Sequence, residues 1–208
     1  MTKPILSPVP FWYLRHGETD WNARGLSQGR SDIPLNENGL AQARRAGAVL
    51  AAGADRFAPI ARIVSSPLIR ARRTAEIAAG AMEAAGHRPL PVAIDPDLQE
   101  VCFGVQEGQP MGDWYDSWIA GDYTPEGAEV FADLMARAAS AVNRATAGEG
   151  TVLIVCHGAM FRALRAVMRL APNVRLPNAV PLWLDPDERP DAPWRLTEMA
   201  HPDAAPSA

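Results

Sequence analysis

Two histidine–glycine pairs stand where apolar, β-prone runs end. The first run, Val9-Pro10-Phe11-Trp12-Tyr13-Leu14, stops at Arg15-His16-Gly17. The second, Thr151-Val152-Leu153-Ile154-Val155-Cys156, stops at His157-Gly158. Histidines delivered by two strand ends, one with an arginine beside it, suit an anionic group with imidazole as the reagent. That is the chemistry of phosphoryl transfer through a phosphohistidine. A phosphate dianion needs several donors converging on its oxygens, and the planar fork of arginine meets that need. Arg15 and Arg70 are therefore candidate clamps, and Asn22 a candidate neutral donor. Gly158 opens a predicted helix, where backbone N–H groups attract an anion and the missing Cβ permits close approach. Nearby arginines oppose protonation of a histidine and so favour the neutral, nucleophilic ring. The leaving oxygen then needs a proton, which Glu100 is placed to supply and later to withdraw from water; Glu107 lies close enough to keep that role open.

These residues need elements to position them. The pattern predicts a strand ending at Leu14, a Gly/Asn/Asp-rich loop over 17–38, and a helix over 40–52 stopped by Gly53. A short buried strand follows at 61–64, then a helix to about Ala85 with Pro67 in its first turn and Gly86 as its stop. A strand is expected at 91–94, loop at 101–108, and helices at 111–119 and 130–147. Residues 151–156 are the clearest strand, followed by a helix over 159–170 and a closing hairpin from 182–184 and 194–196. Alternation of this kind implies an α/β fold, three layers α/β/α around a mainly parallel sheet. In such sheets ligands bind beyond the carboxyl ends of the strands. Arg15-His16, Ser65-Ser66 and His157 all fall just past predicted strands, hence on one sheet edge.

Composition narrows the alternatives. The chain has 208 residues, 48% hydrophobic, which suits one domain over residues 1–200 with a disordered tail at 201–208. Twenty basic residues, of which only Lys3 is lysine, face twenty-four acidic ones, a net charge of −4 that argues against a nucleic-acid partner. Cys102 and Cys156 make no disulfide framework. No metal-ligand spacing is present, so no metal is expected. Without a signal pattern or a membrane-length apolar run, the expected location is cytoplasmic, with no membrane partner. A homodimer is compatible with all of this.

Taken together, the motifs carry a resemblance. Leu14-Arg15-His16-Gly17-Glu18-Thr19-Asp20-Trp21-Asn22 resembles the signature of the histidine phosphatase superfamily, the phosphoglycerate mutase-like proteins. Gln28-Gly29 with Asp32, Pro34-Leu35 and Asn36 to Gly39 resembles its next block. Ser65-Ser66-Pro67-Leu68-Ile69-Arg70-Ala71 resembles its second arginine motif, and Leu98-x-Glu100 with Phe103-Gly104 and Glu107-Gly108 its acid motif. Val155-Cys156-His157-Gly158 with Arg162-Ala163-Leu164 resembles its second histidine motif. The resemblance implies His16 as phosphorylated nucleophile, Glu100 as acid/base, and Arg15, Asn22, Gln28, Arg70, His157 and Gly158 around the phosphoryl group. It implies no cofactor, a metal-independent phosphatase and a small-molecule phosphate monoester as substrate. The alternatives are a bisphosphoglycerate-dependent mutase, or a non-catalytic phospholigand-binding protein. Two departures stand out: Gly127-Ala128-Glu129 where Gly-Glu-Ser is common, and Cys156 where serine is common. Residues 105–130, acidic and aromatic without Lys or Arg, are expected to cover the site. Such a cover either disfavours substrates with a second anionic group, or turns its acids to water and its aromatics to the core.

Overall fold

The computed structural model describes residues 4–53, 56–187 and 193–199. The tail expected at 201–208 lies outside the described residues. Six strands form one sheet: β1 (Phe11–Arg15), β2 (Ile60–Ser65), β3 (Val92–Ile94), β4 (Thr151–Cys156), β5 (Pro181–Pro186) and β6 (Trp194–Glu198), in the order β3-β2-β4-β1-β5-β6. β1 to β4 run parallel, and β5 and β6 close the sheet antiparallel as the expected hairpin. The long helices are α2 (Glu37–Gly53) and α3 (Ile69–Ala84), with α5 (Phe131–Thr146) and α6 (Gly158–Val167).

Side chains alternate across a strand, so a strand buried on both faces reads as a continuous apolar run. β1 and β4 behave this way. Phe11, Tyr13, Val152, Ile154 and Cys156 pack with Leu134 and Ala138 of α5 and with Met160, Phe161 and Leu164 of α6. Trp12, Leu14, Leu153 and Val155 pack instead with Ala46 and Leu50 of α2 and with Ala71, Ala75 and Ala78 of α3. The result is the expected α/β/α sandwich. α2 and α3 meet closely because Gly47 faces the Ala78 carbonyl, which a Cβ would approach to 2.5 Å.

Several boundaries differ from the sequence reading. The 17–38 loop contains a one-turn helix, α1 (Asp20–Ala23), because Thr19 and Asn22 form a reciprocal capping box. α2 begins at Glu37, where the Asn36 side chain caps the Gly39 N–H at 2.8 Å. Pro67 sits before α3, not in its first turn; Leu68 is the N-cap, and Asp32 Oδ1 accepts the Ile69 N–H at 2.7 Å. The cover helix, α4 (Trp114–Ala120), is shorter than expected and ends at left-handed Gly121. α6 stops at Val167, short of Leu170, and Arg169 takes a left-handed φ of 61°.

Candidate active site

Strand register brings the polar clusters together. Arg15 pairs with Cys156, and Ser65 with Val155, so the parallel strands end level. The next residues continue the ladder: His16 N–H donates to Cys156 O and Ser66 N–H to Val155 O, each at 3.0 Å. His16, Ser66 and His157 therefore stand side by side on one edge. The two imidazole rings are 5.2 Å apart between centroids. A cavity of about 50 Å³ opens here, lined by Arg15, His16, Asn22, Gln28, Arg70 and Glu100 among others. A space of this size admits several waters or a small oxyanion.

His16 is held in one tautomer. Its Nδ1 lies 2.7 Å from Gly17 O, and a carbonyl only accepts, so Nδ1 carries the proton. Burial above all, then Arg70 and Arg15, pushes the ring's pKa well below its usual value. Neutral His16 thus presents a bare Nε2. His157 is likewise kept neutral by burial and by Arg70. Its Nε2 lies 2.7 Å from Ser66 Oγ, which also accepts the Leu68 N–H. The Ser66 hydroxyl proton is free to point at Nε2, which leaves Nδ1–H of His157 as a donor. His157 is fully buried behind the cavity rather than forming its wall.

The two arginines are anchored through their tips. Arg15 Nη1 donates to Leu176 O at 2.6 Å; Arg70 Nη1 and Nη2 donate to Ser31 O and Gly29 O at 2.8 and 2.7 Å. Burial draws the Arg15 pKa down to about 10, and burial lowers that of Arg70 as well. Among the described residues, five buried side-chain polar atoms lack a partner, and three are Arg15 Nε, Arg70 Nε and His157 Nδ1. Asn22 and Gln28 point their amides the same way chemically. Asn22 Oδ1 accepts from Thr19 N and Asn178 Nδ2, and Gln28 Oε1 accepts from Thr19 Oγ1, so each keeps its amino group for the cavity.

Glu100 lies on the far side, at the N-terminus of α6. Its carboxylate accepts the N–H groups of Ala159 at 3.0 Å, Met160 at 3.2 Å and Val101 at 3.0 Å. Of the α6 first turn, the Gly158 N–H is left over. A Cβ at Gly158 would sit 3.4 Å from Arg15 Nε, so glycine lets the guanidinium lie against the backbone. Glu107 is absent from the cavity wall. It accepts instead from Arg30 N, Ser31 N, Ser31 Oγ and Phe103 N. It ties down the loop whose carbonyls hold Arg70.

Three residues escaped the sequence reading. Arg137 on α5 donates to Asp97 O and Gln99 O, both at 2.7 Å, and pairs with both oxygens of Glu129. Glu129 N–H donates to Cys102 O, so the pair grips the Glu100 loop on both sides. The signal was the Gly-Ala-Glu departure itself. Tyr13 donates to His157 O at 2.7 Å from within an apolar strand. Arg162, given no role in the sequence reading, lines the cavity. Of residues 105–130, only Met111 and Tyr115 line it; every acid in that segment is turned away, while Tyr115 and Trp118 are buried. Of the two readings of this segment, the lining favours the one in which its acids face away from the cavity and its aromatics fill the core.

Imidazoles and guanidiniums thus converge beyond the parallel strand ends of a doubly covered α/β sheet. The model of the histidine phosphatase superfamily (branch 1) matches residues 11–180, and the chain belongs to that family. It is 34% identical over 187 residues to an uncharacterized phosphatase, PhoE, of Bacillus subtilis, covering 89% of this chain and 91% of that protein. It is 32% identical to the 2,3-bisphosphoglycerate-dependent phosphoglycerate mutase of Methylobacterium radiotolerans, covering 81% of this chain and 85% of the mutase. Among solved structures, a mycobacterial glucosyl-3-phosphoglycerate phosphatase complexed with VO3 superposes with a TM-score of 0.74 at 28% identity, covering 90% and 97% of the two chains. No helix among the described residues is long and apolar enough to cross a membrane.

Proposed function

We propose that the chain is a phosphatase acting on small phosphate monoesters through a phosphohistidine. The observation that carries this is the set of buried donors without partners, Arg15 Nε, Arg70 Nε and His157 Nδ1, around a bare His16 Nε2. A buried unsatisfied donor costs about 1–3 kcal/mol, so an oxyanion that satisfies all three is strongly favoured there. The phosphoryl oxygens take these donors, the Gly158 N–H, and the amino groups of Asn22 and Gln28. His16 Nε2 attacks phosphorus in line, and the P–O ester bond breaks as Glu100 protonates the departing oxygen. Glu100 then accepts a proton from water, whose oxygen attacks phosphorus and returns His16 Nε2 to its free state. The likeness to PhoE and to a phosphatase solved with VO3 supports this reading. The mutase relative supports a second one, in which the phosphoryl group returns to a phosphoglycerate.

Hydrolysis of p-nitrophenyl phosphate in EDTA tests the mechanism. His16→Ala is expected to abolish turnover, and Glu100→Gln to slow hydrolysis of an alkyl phosphate by about 10²–10⁴-fold. Full activity in His16→Ala refutes the phosphohistidine. Conversion of 3-phosphoglycerate that requires the bisphosphate, with negligible ester hydrolysis, selects the mutase.

A further inference from the structure

The cavity holds one more cation than a phosphoryl group needs. Arg162, on α6, lines it together with Leu26, Phe103, Met111 and Tyr115. Its Nε donates to Asn173 Oδ1 at 3.2 Å, its Nη1 reaches only the Tyr115 hydroxyl at 3.4 Å, and its guanidinium lies 5.0 Å over the Tyr115 ring. All these partners are neutral. Among the described residues, no ion pair involves Arg162. Glu100 is the one acid in the cavity wall, against three arginines. A single point beside the Gly158 Cα lies 3.4 Å from Arg15 Nε and 3.7 Å from Arg162 Nη1, which puts those nitrogens at most about 7 Å apart.

We propose that Arg162 is a specificity residue: it binds an anionic group on the leaving portion of the substrate, a carboxylate or second phosphoryl group a few atoms from the ester. This rests on the phosphoryl cradle described above and extends it. A separation of this size is bridged by two or three chain atoms at about 1.5 Å per bond. The second anion then accepts from the Arg162 guanidinium and the adjacent Tyr115 hydroxyl together, and the carbon skeleton packs on Met111 and Phe103. Arg162 is suited to this because its guanidinium is fixed by Asn173, which is itself held by Asp116 of the cover helix. An ordered, charged donor with no anionic partner loses little freedom on binding one.

The test measures binding rather than turnover, so it does not depend on catalysis. Titrations of the full chain use ethylphosphonate, 3-phosphonopropionate and ethylenebisphosphonate. Ethylphosphonate gauges the phosphoryl cradle alone; the other two add a carboxylate or a second phosphoryl group. The native protein is expected to bind at least one of the doubly anionic probes about tenfold or more tightly than ethylphosphonate, and which one prevails names the anion. In Arg162→Gln, which keeps a hydrogen-bonding side chain without charge, that preference should fall to near unity, and Arg162→Lys should recover part of it. A merely structural role would shift all three affinities together. Equal binding of all three by the native protein, or a preference that survives Arg162→Gln, overturns the proposal. Failure of even ethylphosphonate to bind would strike at the cradle itself.

Discussion

Removing the Glu107 carboxylate should loosen a phosphate clamp that it never touches. Glu107 accepts four hydrogen bonds, from Arg30 N at 2.9 Å, Ser31 N at 2.9 Å, Ser31 Oγ at 2.7 Å and Phe103 N at 3.2 Å. Gly29 is shaped around it, since a Cβ there would lie 2.2 Å from Glu107 Oε1. The same loop supplies Gly29 O and Ser31 O to the Arg70 guanidinium. In Glu107→Ala, water can reach Arg30 and Ser31 and replace part of what is lost. The Phe103 N–H cannot be served so easily, as Phe103 is only 3% exposed. One orphaned buried donor and three weakened charge-assisted bonds together come to about 3 kcal/mol. For a chain of this size, that lowers Tm by roughly 6–12 °C. Arg70 then loses its fixed acceptors, and binding of inorganic phosphate should weaken about tenfold, some 1.4 kcal/mol. Thermal unfolding by circular dichroism and calorimetric titration with phosphate check both numbers. A Glu107→Ala protein that melts within about 2 °C of the native one and binds phosphate equally would refute the clamp.

Two further outcomes follow from the same geometry. His16 and His157 both have folded-state pKa values pushed down by burial, so the unfolded chain takes up protons near pH 6.5 that the folded chain refuses. Stability from this source is present above pH 6.5 and lost as pH falls below it, by roughly 3 kcal/mol for the pair between pH 7.5 and 5.5. Urea unfolding at the two pH values measures it, and His16→Gln should remove about half of the histidine share. Glu129→Gln breaks the grip of Arg137 on the Glu100 loop. It should slow hydrolysis of an alkyl phosphate at least about tenfold more than that of p-nitrophenyl phosphate, whose leaving group needs little protonation. Equal slowing of both substrates would mean that the pair does not position the acid.

What could be read in advance was whatever depends on local pattern. β4 was predicted to its boundaries because a six-residue, doubly buried strand is a continuous apolar run. The strand-end placement of His16, Ser66 and His157 follows from that periodicity, and the register bears it out. Cap chemistry was harder. Thr19 and Asn22 build a helix of four residues inside a stretch whose Gly, Asn and Asp content reads as loop. Contacts between distant segments were not legible at all. Nothing near Glu107 in the chain announces that it will meet residues 30 and 31, nor does Arg137 announce that it will hold carbonyls of residues 97 and 99. Arg162 looked like an ordinary helix arginine because whether its face meets solvent or a cavity is decided by where α4 packs.

The β4–α6 junction shows why the site tolerates so little slack. The sequence placed the bound anion at the α6 N-terminus, and the structure divides that terminus. Glu100 takes the Ala159 and Met160 N–H groups, leaving that of Gly158. His157 is the N-cap residue of the same helix. Three functional groups thus hang on consecutive residues, and any rotation of α6 would move all of them at once. The loop bearing Glu100 is fixed to this junction from below as well as from the side. Cys156, the departure from serine, donates its thiol to Leu98 O at 3.0 Å, two residues before Glu100. Burial pushes that thiol's pKa up to about 12, so it stays protonated and remains a donor instead of becoming a reactive thiolate. Tyr13 secures the other side by donating to His157 O. Two neighbouring apolar strands, β4 and β1, therefore each carry one polar atom, on Cys156 and on Tyr13, and each holds backbone beside a catalytic candidate.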